Sequence, residues 1–411
     1  MGYPSLMQNS ADSNRLATVL VASGIILSLA MGVRHGFGFW LQPVSLHHDW
    51  TRDTFSLAMA LQNLMWGVFG PLAGMAADRF GAPRVVVIGA VLYMSGLLAM
   101  ASATQPAIFV LASGILIGAG LSCTAFGALS GVVGRTAPLA KRSWAFGVLG
   151  AAGSLGQFAM VPVEQLLIAN ANWQGALHWL AAAVVVMMIP LAFLLRERPW
   201  VAGLDIAPQS VGEAVREAFA HRPFQLLVAG YFVCGFQVVF IGVHLPSYLK
   251  DRGVFDPKVA VVALALIGFF NIFGSFTAGQ LGGKLSKPKL LASVYLARAL
   301  IISLFVFLPL SAVSVYLFAA AMGLLWLSTV PLTNGVIAGM FGVRHLSMLS
   351  GFVFFSHQIG SFSGVWLGGY LYTLEGSYDT VWLITIALGL IACALNLPIS
   401  EAAVRREPQP A

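Results

Sequence analysis

Charged side chains are scarce in this chain. Asp, Glu, Lys and Arg together make up only 9% of its 411 residues, whereas soluble domains contain about 25%. Hydrophobic residues account for 58% of the sequence, and the mean hydropathy is +0.86. A soluble core could not hide this much apolar surface, so we expect lipid to be the solvent for most of the chain.

Cysteines and recognisable catalytic motifs are also few. The three cysteines, Cys123, Cys234 and Cys393, lie in apolar stretches without metal-ligand spacing, which argues against a disulfide framework or a zinc site. The sequence contains no evident nucleophile–base pair, phosphate loop or ATP-binding motif. It therefore predicts no metal, no cofactor and no enzymatic activity, and it disfavours a pump driven directly by ATP.

Long apolar runs dominate the chain, and a bilayer-spanning helix needs about 20 such residues. Six runs occupy the first half, at 16–42, 54–77, 85–103, 107–134, 144–169 and 176–195. Six more occupy the second half, at 224–249, 259–282, 290–308, 313–339, 346–372 and 381–399. The pattern predicts an all-α polytopic membrane protein with twelve transmembrane helices, which we number as spans one to twelve.

Lysine and arginine are distributed unevenly between the two ends of these spans. The end with few basic residues holds only Arg52, Lys250, Arg252 and Lys258. Because basic loops stay in the cytoplasm, we expect both termini to be cytoplasmic in a bacterial inner membrane. The formal charge of +7 is then no evidence for nucleic-acid binding. The end with the excess, called the basic end below, holds Arg15, Arg79, Arg84, Arg135, Lys141, Arg142, Arg196, Arg198, Arg216, Arg222, Lys284, Lys287, Lys289, Arg344, Arg405 and Arg406.

The longest polar stretch divides the chain into two halves. The predicted organisation is an N-terminal six-helix bundle at 1–195, a cytoplasmic linker at 196–222, a C-terminal six-helix bundle at 223–399 and a cytoplasmic tail at 400–411. Within the linker, residues 211–219 place apolar side chains at helical spacing, which predicts a short surface helix. The polar start and the long first span do not suit a cleaved signal peptide, so we expect the first span to remain.

The two halves share a short internal repeat. Duplicated bundles are typical of carriers whose substrate binds between the repeats, near the membrane midplane. The repeat therefore favours a carrier with alternating access. The residues Gly147, Ser154 and Gly156 of span five match, at constant spacing, Gly351, Gln358 and Gly360 of span eleven.

A charged loop between spans two and three stands out in so apolar a chain. It reads G-x-x-x-D-R-x-G-x-x-R and comprises Gly74, Asp78, Arg79, Gly81 and Arg84. This pattern resembles the signature of the major facilitator superfamily of transporters. The resemblance implies two pseudo-symmetric six-helix bundles and a cytoplasmic gate, in which the acidic residue and the arginines tie helix ends together. A decayed copy in the second half has Gly283 in the acidic position.

Arg34 is the most informative lone charge inside a span. A charge at the bilayer centre costs roughly 2.5–3.5 kcal/mol on an insertion scale, which implies a partner or a watery cavity. Arg34 could face a central cavity and hold a carboxylate through paired hydrogen bonds, or it could form a structural pair or snorkel to the interface. We favour the first interpretation. Its neighbour His35 points about 100° away around the helix, so we expect it to pack or pair.

Four further ionisable residues lie in or near spans. His357, near the middle of span eleven, could couple transport to a proton gradient because imidazole titrates near neutral pH, or it could be a neutral hydrogen-bonding group. His244 could take part in proton coupling or gate the opposite end, and Glu164 could accept a proton or pair with Arg34. We expect interfacial positions for both. Arg298 is expected to snorkel to the basic end.

Polar amides, hydroxyls and a tryptophan in the spans form a second group of candidate substrate-binding residues. Each polar group needs a partner in lipid, so any of them could equally be an interhelical hydrogen-bonding residue. In span ten, Pro331 is expected to interrupt the helix and free backbone groups beside a cavity. The candidates are Gln62, Asn63, Thr124, Gln157, Gln237, Asn271, Trp326, Thr329, Asn334 and Gln358.

Nearly the whole chain resembles the monocarboxylate-transporter and oxalate/formate-antiporter branch of that superfamily. The resemblance rests on a glycine-aromatic run at residues 35–40 and on residues 49–58, which open span two. Those carriers place a substrate-binding arginine in span eight, four residues after an acidic one, whereas the matching positions here hold Asn271 and Ser275. Either Arg34 takes over this role, or the substrate is not a simple monocarboxylate.

Together these observations predict a transporter of a small organic anion, a carboxylate, that works by alternating access. We favour proton symport over exchange, and we expect a monomer to be functional. The first alternative is efflux of a hydrophobic drug or metabolite by proton antiport, with Trp66, Trp326 and Phe355 lining an aromatic cavity and Arg34 paired internally. The second is a sensor or receptor on the same fold, although the short tail argues against it.

Overall fold

The computed structural model describes residues 3–50, 52–195, 209–253 and 257–404, and the regular secondary structure within these ranges is helical. The first half contains α1 (Tyr3–His35), α2 (Leu41–His48), α3 (Arg52–Phe80), α4 (Ala82–Ser102), α5 (Pro106–Leu111), α6 (Gly118–Thr124), α7 (Phe126–Thr136) and α8 (Arg142–Leu194). The second contains α9 (Val211–Ala220), α10 (Arg222–Asp251), α11 (Pro257–Gly282), α12 (Lys287–Phe307), α13 (Ala312–Leu325), α14 (Thr329–Phe341), α15 (Leu346–Glu375) and α16 (Asp379–Asn396).

The predicted spans all fall on these helices. Among the described residues, nine helical stretches are long and apolar enough to cross a membrane. One of them, Leu139–Leu194, contains both span five and span six, and α8 is interrupted there by Asn172 with φ 55°. Spans two and eleven coincide with α3 and α15. The helices are consistent with twelve spans. The domain boundaries stay a prediction, because linker residues 196–208 and tail residues 405–411 lie outside the described ranges.

Span one is not the single α-helix that the apolar run predicts. The α-helical geometry ends at His35, and Gly36–Trp40 forms a tighter 3-10 turn before α2 begins. The indole Nε1 of Trp40 donates to the Trp173 carbonyl at 3.1 Å, which joins this turn to α8 next to its interruption at Asn172. Span one therefore has a geometric change close to Arg34.

Span ten is broken, as predicted, but the break does not lie at Pro331. Helix α13 ends at Leu325 and α14 begins at Thr329, so Pro331 is already inside the second helix. A proline ring clashes with the carbonyl of the preceding turn and leaves that turn without an N–H donor. The disruption therefore appears upstream, at residues 326–328.

The short helix predicted in the linker is present as α9. The Ser210 Oγ accepts from the Glu213 N–H at 3.3 Å, and the Glu213 Oε2 accepts from the Ser210 N–H at 2.7 Å. These hydrogen bonds stabilise the ionised carboxylate and lower the pKa of Glu213. At the other end of α9, the Phe219 ring packs against Phe224 and Phe352. The linker helix thus lies against the starts of α10 and α15.

Most helix packing occurs within each half. In the first half α8 packs against α1 and α4, and in the second half α10 packs against α15, α11 against α13, and α12 against α16. The two halves meet mainly where α3 lies against α15 and where α8 lies against α11. We call these contacts the α3–α15 seam and the α8–α11 seam. Any pathway between the halves must run beside them.

Candidate functional site

Glycines bring the two halves into backbone contact toward the basic end. In the α8–α11 seam, a Cβ placed on Gly147 would lie 2.8 Å from the Gly279 Cα. In the α3–α15 seam, a Cβ placed on Gly351 would lie 2.7 Å from the Gly70 carbonyl oxygen and from the Pro71 Cα. Side chains do not tolerate such distances to backbone atoms, so both seams depend on glycine to close.

The internal repeat corresponds to these two seams. Its first matched glycines, Gly147 and Gly351, supply the backbone contacts, and its next matched positions, Ser154 and Gln358, supply hydrogen bonds. The Ser154 Oγ accepts from the Asn271 Nδ2 at 2.8 Å, and the Gln358 Nε2 donates to the Asn63 carbonyl at 3.1 Å. Equivalent positions in the two halves therefore perform equivalent joining roles.

Asp78 is the charged centre of the closure at the basic end. Its Oδ1 accepts from the Arg135 Nη1 at 2.7 Å. Its carboxylate also accepts from the backbone N–H of Met348 at 2.9 Å and of Ser347 at 3.4 Å. These N–H groups belong to the first turn of α15, where a helix has unsatisfied donors and favours an anion. Asp78 therefore joins the first half to the start of span eleven.

The glycines of the charged loop have distinct backbone roles. A Cβ placed on Gly74 would lie 2.7 Å from the Met348 nitrogen, so this glycine permits the close approach of α3 to α15. Gly81 has φ +86° at the start of α4, a conformation that side chains disfavour. Gly74 thus permits the close contact in the α3–α15 seam, and Gly81 permits the turn into α4.

The arginines of the same loop, which were predicted to belong to the gate, do not bond to Asp78 in the described state. Arg79 is exposed, with its guanidinium carbon 5.2 Å from the Phe80 ring, and Arg84 is also exposed. Arg79 follows Asp78 directly, so the two side chains point about 100° apart around the helix. The pairing arginine, Arg135, comes from the end of α7, and its place among the basic-end residues was the only sequence signal for it.

Asn334 belongs to the same closure and was expected to bind substrate. Its Nδ2 donates to the Ser130 Oγ of the first half at 3.1 Å, and its Oδ1 accepts from the Ser350 Oγ at 2.6 Å. Both ends of the amide are therefore engaged between α7, α14 and α15. This geometry favours a joining role for Asn334 in the described state, and its role in substrate binding stays a prediction.

Arg34 lies at the end of α1, half-buried, beside α3. Its Nη2 donates to the Asn63 Oδ1, and its guanidinium carbon lies 4.9 Å from the Trp66 ring centre. Its Nε is buried and has no hydrogen-bond partner in the described part of the chain. Arg34 therefore has neutral partners and an available donor. His35 is exposed, which contradicts the expectation of packing and leaves its pairing a prediction.

A continuous wall of rings leads from Arg34 into the second half. The Trp66 ring lies 4.6 Å from Phe354 across the α3–α15 seam. Phe354 stacks on His357 with ring centres 5.4 Å apart, and the Tyr231 ring lies 5.3 Å from the same imidazole. Sequence reasoning missed Phe354 and Tyr231, because aromatic residues are common in lipid-facing positions too.

His357 is buried and has polar neighbours on its own helix. Its Nδ1 lies 3.2 Å from the Gln358 Oε1 and 3.3 Å from the Ser361 Oγ. Since Gln358 also bonds to the first half, the imidazole is one residue away from a seam contact. The structure thus brings His357, Gln358 and Arg34 to the same region between the halves.

Arg298 is fully buried, with 0% of its surface exposed, so the expectation that it snorkels is wrong. Its Nε and Nη2 donate to the Leu325 carbonyl at 3.2 and 2.6 Å, and Nη2 also donates to the Trp326 carbonyl at 2.5 Å. Its Nη1 donates to the Gln237 Oε1 at 3.4 Å and the Cys234 Sγ at 3.5 Å. The guanidinium satisfies carbonyls at the end of α13, where a cation is favoured.

Polar side chains other than Arg298 also contact the residues at the span-ten break. The Asn271 Oδ1 accepts from the Leu327 N–H at 2.9 Å, while its amide nitrogen reaches the first half through Ser154. The Thr329 Oγ1 lies 3.2 Å from the Cys234 Sγ, and Trp326 is half-buried within the break. The break is therefore connected by hydrogen bonds to both halves. The proline in the sequence could not predict these contacts.

Removing the Arg298 guanidinium should destabilise the protein. Each buried polar group that loses its partner costs about 1–3 kcal/mol, and Arg298→Met would deprive the carbonyls of Leu325 and Trp326 of their donors. Arg298→Lys should recover part of the loss, since it retains the charge without the planar fork. Thermal unfolding of detergent-purified protein measures the effect, with Arg79→Met as an exposed control. An Arg298→Met variant as stable as the wild type would contradict this role.

Three other candidates bond within their own half, which favours the structural interpretation for them. Gln62 and Thr124 are buried, and His244 is half-buried. Gln157 is half-buried on α8. The neighbouring atoms are the Ser113 carbonyl for Gln62 (3.2 Å), the Gly120 carbonyl for Thr124 (2.9 Å), and the Val365 carbonyl and Tyr378 hydroxyl for His244 (3.0 and 3.3 Å).

The sequence predicted an interfacial position for Glu164. The residue is instead fully buried, with 0% of its surface exposed. Within the described ranges, neither of its carboxylate oxygens has a hydrogen-bond partner. No ion pair with Arg34 is formed in this state among the described residues. The run of residues around Glu164 is apolar, and it gave no sign that another helix would cover the carboxylate.

The arrangement of two joined halves matches known transporters. The fold is similar to the crystal structure of the transporter FucP in the outward conformation, with a TM-score of 0.74, 16% identity, and coverage of 93% of this chain and 98% of that one. The MFS-type transporter YcxA of Bacillus subtilis (strain 168) is 24% identical over 397 residues, which cover 91% of this chain and 93% of YcxA.

Further relatives are named as monocarboxylate transporters. Monocarboxylate transporter 13 of Rattus norvegicus is 26% identical, with 87% of this chain and 82% of that protein covered. Monocarboxylate transporter 11 of Homo sapiens is also 26% identical, with 93% and 83% covered. The sequence profile of the Major Facilitator Superfamily matches residues 20–336. The apolar helices, the paired seams and these similarities identify a multi-pass membrane transporter, not an enzyme, and the chain belongs to the Major Facilitator Superfamily.

Proposed function

We propose that this transporter moves a small carboxylate together with a proton across a bacterial inner membrane. The observation that carries the proposal is Arg34, a half-buried cation near the junction of the halves with neutral described partners and an unpartnered Nε. A cation in an apolar bundle without an acidic partner attracts an anion. The relatives named monocarboxylate transporters favour a carboxylate among anions.

In this proposal the described state is open away from the basic end. Asp78, Asn334 and the seam glycines close the basic end, and the similar FucP structure is in the outward conformation. The excess of basic residues supports a cytoplasmic position for that end and for both termini. Substrate would then reach Arg34 from outside and leave when the seams part at the basic end. Since both seams lie within one chain, a monomer contains the whole pathway.

The bound carboxylate would take two parallel N–H donors from the Arg34 guanidinium, and the free Nε would be one of them. The Trp66 and Phe354 rings would pack against the short apolar part of the substrate. His357 would donate a hydrogen bond to a substrate oxygen from the second half or exchange a proton with it. Binding to both halves is what lets one substrate influence their relative position.

Arg34→Ala should reduce saturable uptake of radiolabelled carboxylates into proteoliposomes. Charge-assisted hydrogen bonds contribute about 1.5–3 kcal/mol, so the expected loss in apparent affinity is roughly 10- to 150-fold. Arg34→Lys should lose less, because it keeps the charge. His35→Ala, at the exposed neighbouring position, is the matched control and should transport normally. Undiminished saturable uptake by Arg34→Ala would remove this arginine from the site.

Efflux of a hydrophobic compound is the second candidate function. The ring wall of Trp66, Phe354 and Tyr231 favours it, as does the contact of Arg34 with Asn63. In this alternative Arg34 is a structural residue. Proteoliposomes that move neutral lipophilic dyes against a proton gradient, and do not take up carboxylates, would support efflux. A chain that moves neither class would support a sensor on the same fold.

A further inference from the structure

Glu164 occupies an unusual position for an acid. Its side chain projects from α8 against the junction between α1 and the Gly36–Trp40 turn. A Cβ placed on Gly36 would lie 2.9 Å from the Glu164 Oε1 and closer still to Oε2. The carboxyl group therefore fills the space that the missing side chain of Gly36 leaves open.

An ionised carboxylate would be poorly stabilised in this position. Glu164 is 0% exposed, and both oxygens lack a hydrogen-bond partner in the described part of the chain. Burial of an unpaired charge is far more costly than burial of a neutral group, so the neutral acid is the form that fits. The geometry therefore describes a glutamic acid that holds a proton on one carboxyl oxygen.

The titratable groups around Glu164 do not neutralise it. From α4, Tyr93 lies within electrostatic range of both Glu164 and Arg34, and its hydroxyl donates to the Ala30 carbonyl at 3.0 Å. From α1 come Arg34, directed toward α3, and the exposed His35. Other titratable groups on the elements that pack here include Arg15 of α1, Arg84 of α4, Arg142 and His178 of α8, the exposed Lys258 of α11, and His47 and His48 of α2.

The element that covers the carboxyl group is also the one where span one changes geometry. The α-helix ends at His35, and the 3-10 turn that follows is anchored at its end by Trp40. If the proton left, the carboxylate would require water or a donor, and neither reaches it while Gly36 lies against it. Release of the proton would therefore favour movement of this turn away from α8.

We propose that Glu164 binds the proton that drives transport, and that the Gly36–Trp40 turn moves when the proton leaves. The inference rests on the proton-coupled carboxylate transport proposed above. The proton binds to Oε1 or Oε2 to form the neutral acid, and water accepts it on release. This assigns proton binding to span five and leaves His357, which already has Gln358 and Ser361 as neighbours, to contact the substrate.

Glu164→Gln separates proton coupling from substrate exchange. Glutamine has nearly the shape of the protonated acid and cannot release a proton. For a one-to-one symporter, a gradient of about one pH unit sustains roughly tenfold accumulation, and Glu164→Gln should lose this accumulation. Counterflow, in which labelled substrate exchanges for unlabelled substrate without a gradient, should remain because it needs no net proton movement.

Two matched variants complete the test. Glu164→Asp keeps a titratable carboxyl and should retain gradient-driven uptake, whereas Glu213→Gln, an exposed acid on α9, should behave as the wild type. Gradient-driven accumulation by Glu164→Gln would overturn the assignment and leave the proposed function intact. Loss of counterflow as well would also overturn it, because Glu164 would then be required for the substrate step or the fold. Absence of both activities from the wild type would instead refute the proposed function.

A measurement without substrate tests the buried neutral acid directly. Raising the pH removes the proton from a group that is buried neutral, so the wild type should lose thermal stability between mildly acidic and mildly alkaline pH. Glu164→Gln should lose much less over the same range. Equal pH dependence of the two unfolding temperatures would overturn the assignment.

Discussion

Gly279→Leu is expected to stop transport and to leave the protein open at its basic end. A Cβ on Gly279 would lie 2.8 Å from both the Gly147 nitrogen and the Ser143 carbonyl oxygen. Backbone atoms cannot move aside as a flexible side chain can, so the closed seam would have to separate. Overpacking typically costs about 1–3 kcal/mol, and backbone atoms that cannot yield favour the upper end, about 3 kcal/mol. A bias of that size shifts a two-state balance by roughly 150-fold.

The measurement is the distance between spin labels on cysteines introduced at Leu139 and Leu285, two exposed positions at the basic end on different halves. Gly279→Leu should lengthen this distance and reduce carboxylate uptake to background. Gly268→Leu is the control on the same helix, because a Cβ there meets nothing within 4 Å. A closed basic end in Gly279→Leu would show that the glycine contact does not govern closure.

Asp78→Ala should also open the basic end, for an electrostatic reason. The side chains of Asp78 and Arg135 are only 4% and 9% exposed, and removal of one partner from a buried pair costs about 3–5 kcal/mol. The variant additionally leaves the first-turn N–H groups of α15 without their acceptor. Asp78→Asn should be milder, since it keeps an acceptor oxygen for Met348.

The expected signature is a shift of conformation and not a loss of affinity. The spin-label distance at the basic end should lengthen in Asp78→Ala, while the dissociation constant for a carboxylate at the opposite end should change little. Arg79→Ala tests whether the loop arginines take part in the gate. Because Arg79 is exposed beside Phe80, this variant should leave the distance unchanged. A pure affinity loss in Asp78→Ala, with an unaltered distance, would contradict the gate role.

The success of the span predictions and the failure of several side-chain predictions have one physical cause. Burial of apolar residues in lipid is a local property, so a window of about 20 residues suffices to find a membrane helix. The partner of a side chain is a property of helix packing. Arg298 illustrates this: its distance from the basic end suggested snorkelling, yet packing places it against the carbonyls of a broken helix.

Glu164 and Arg135 are two further examples of contacts that the sequence could not predict. The sequence near Glu164 could not reveal that Gly36, more than a hundred residues earlier, covers its carboxyl group. Arg135 was visible only as one of many basic-end residues, and its pairing with Asp78 depends on how α7 lies beside α3. Arg34 was found from the sequence because a charge inside an apolar run is costly in any fold.

Hydropathy, the charged loop and the repeat determined the helical class, the two halves and the superfamily, since these follow from local composition and from duplication along the chain. Helix packing decided which groups contact each other. It places Asp78 against the start of α15, Arg298 against the carbonyls at the break in span ten, and Gly36 over the carboxyl group of Glu164. Hydrogen bonds and burial depend on distances between separate helices, and a linear order of residues does not contain those distances.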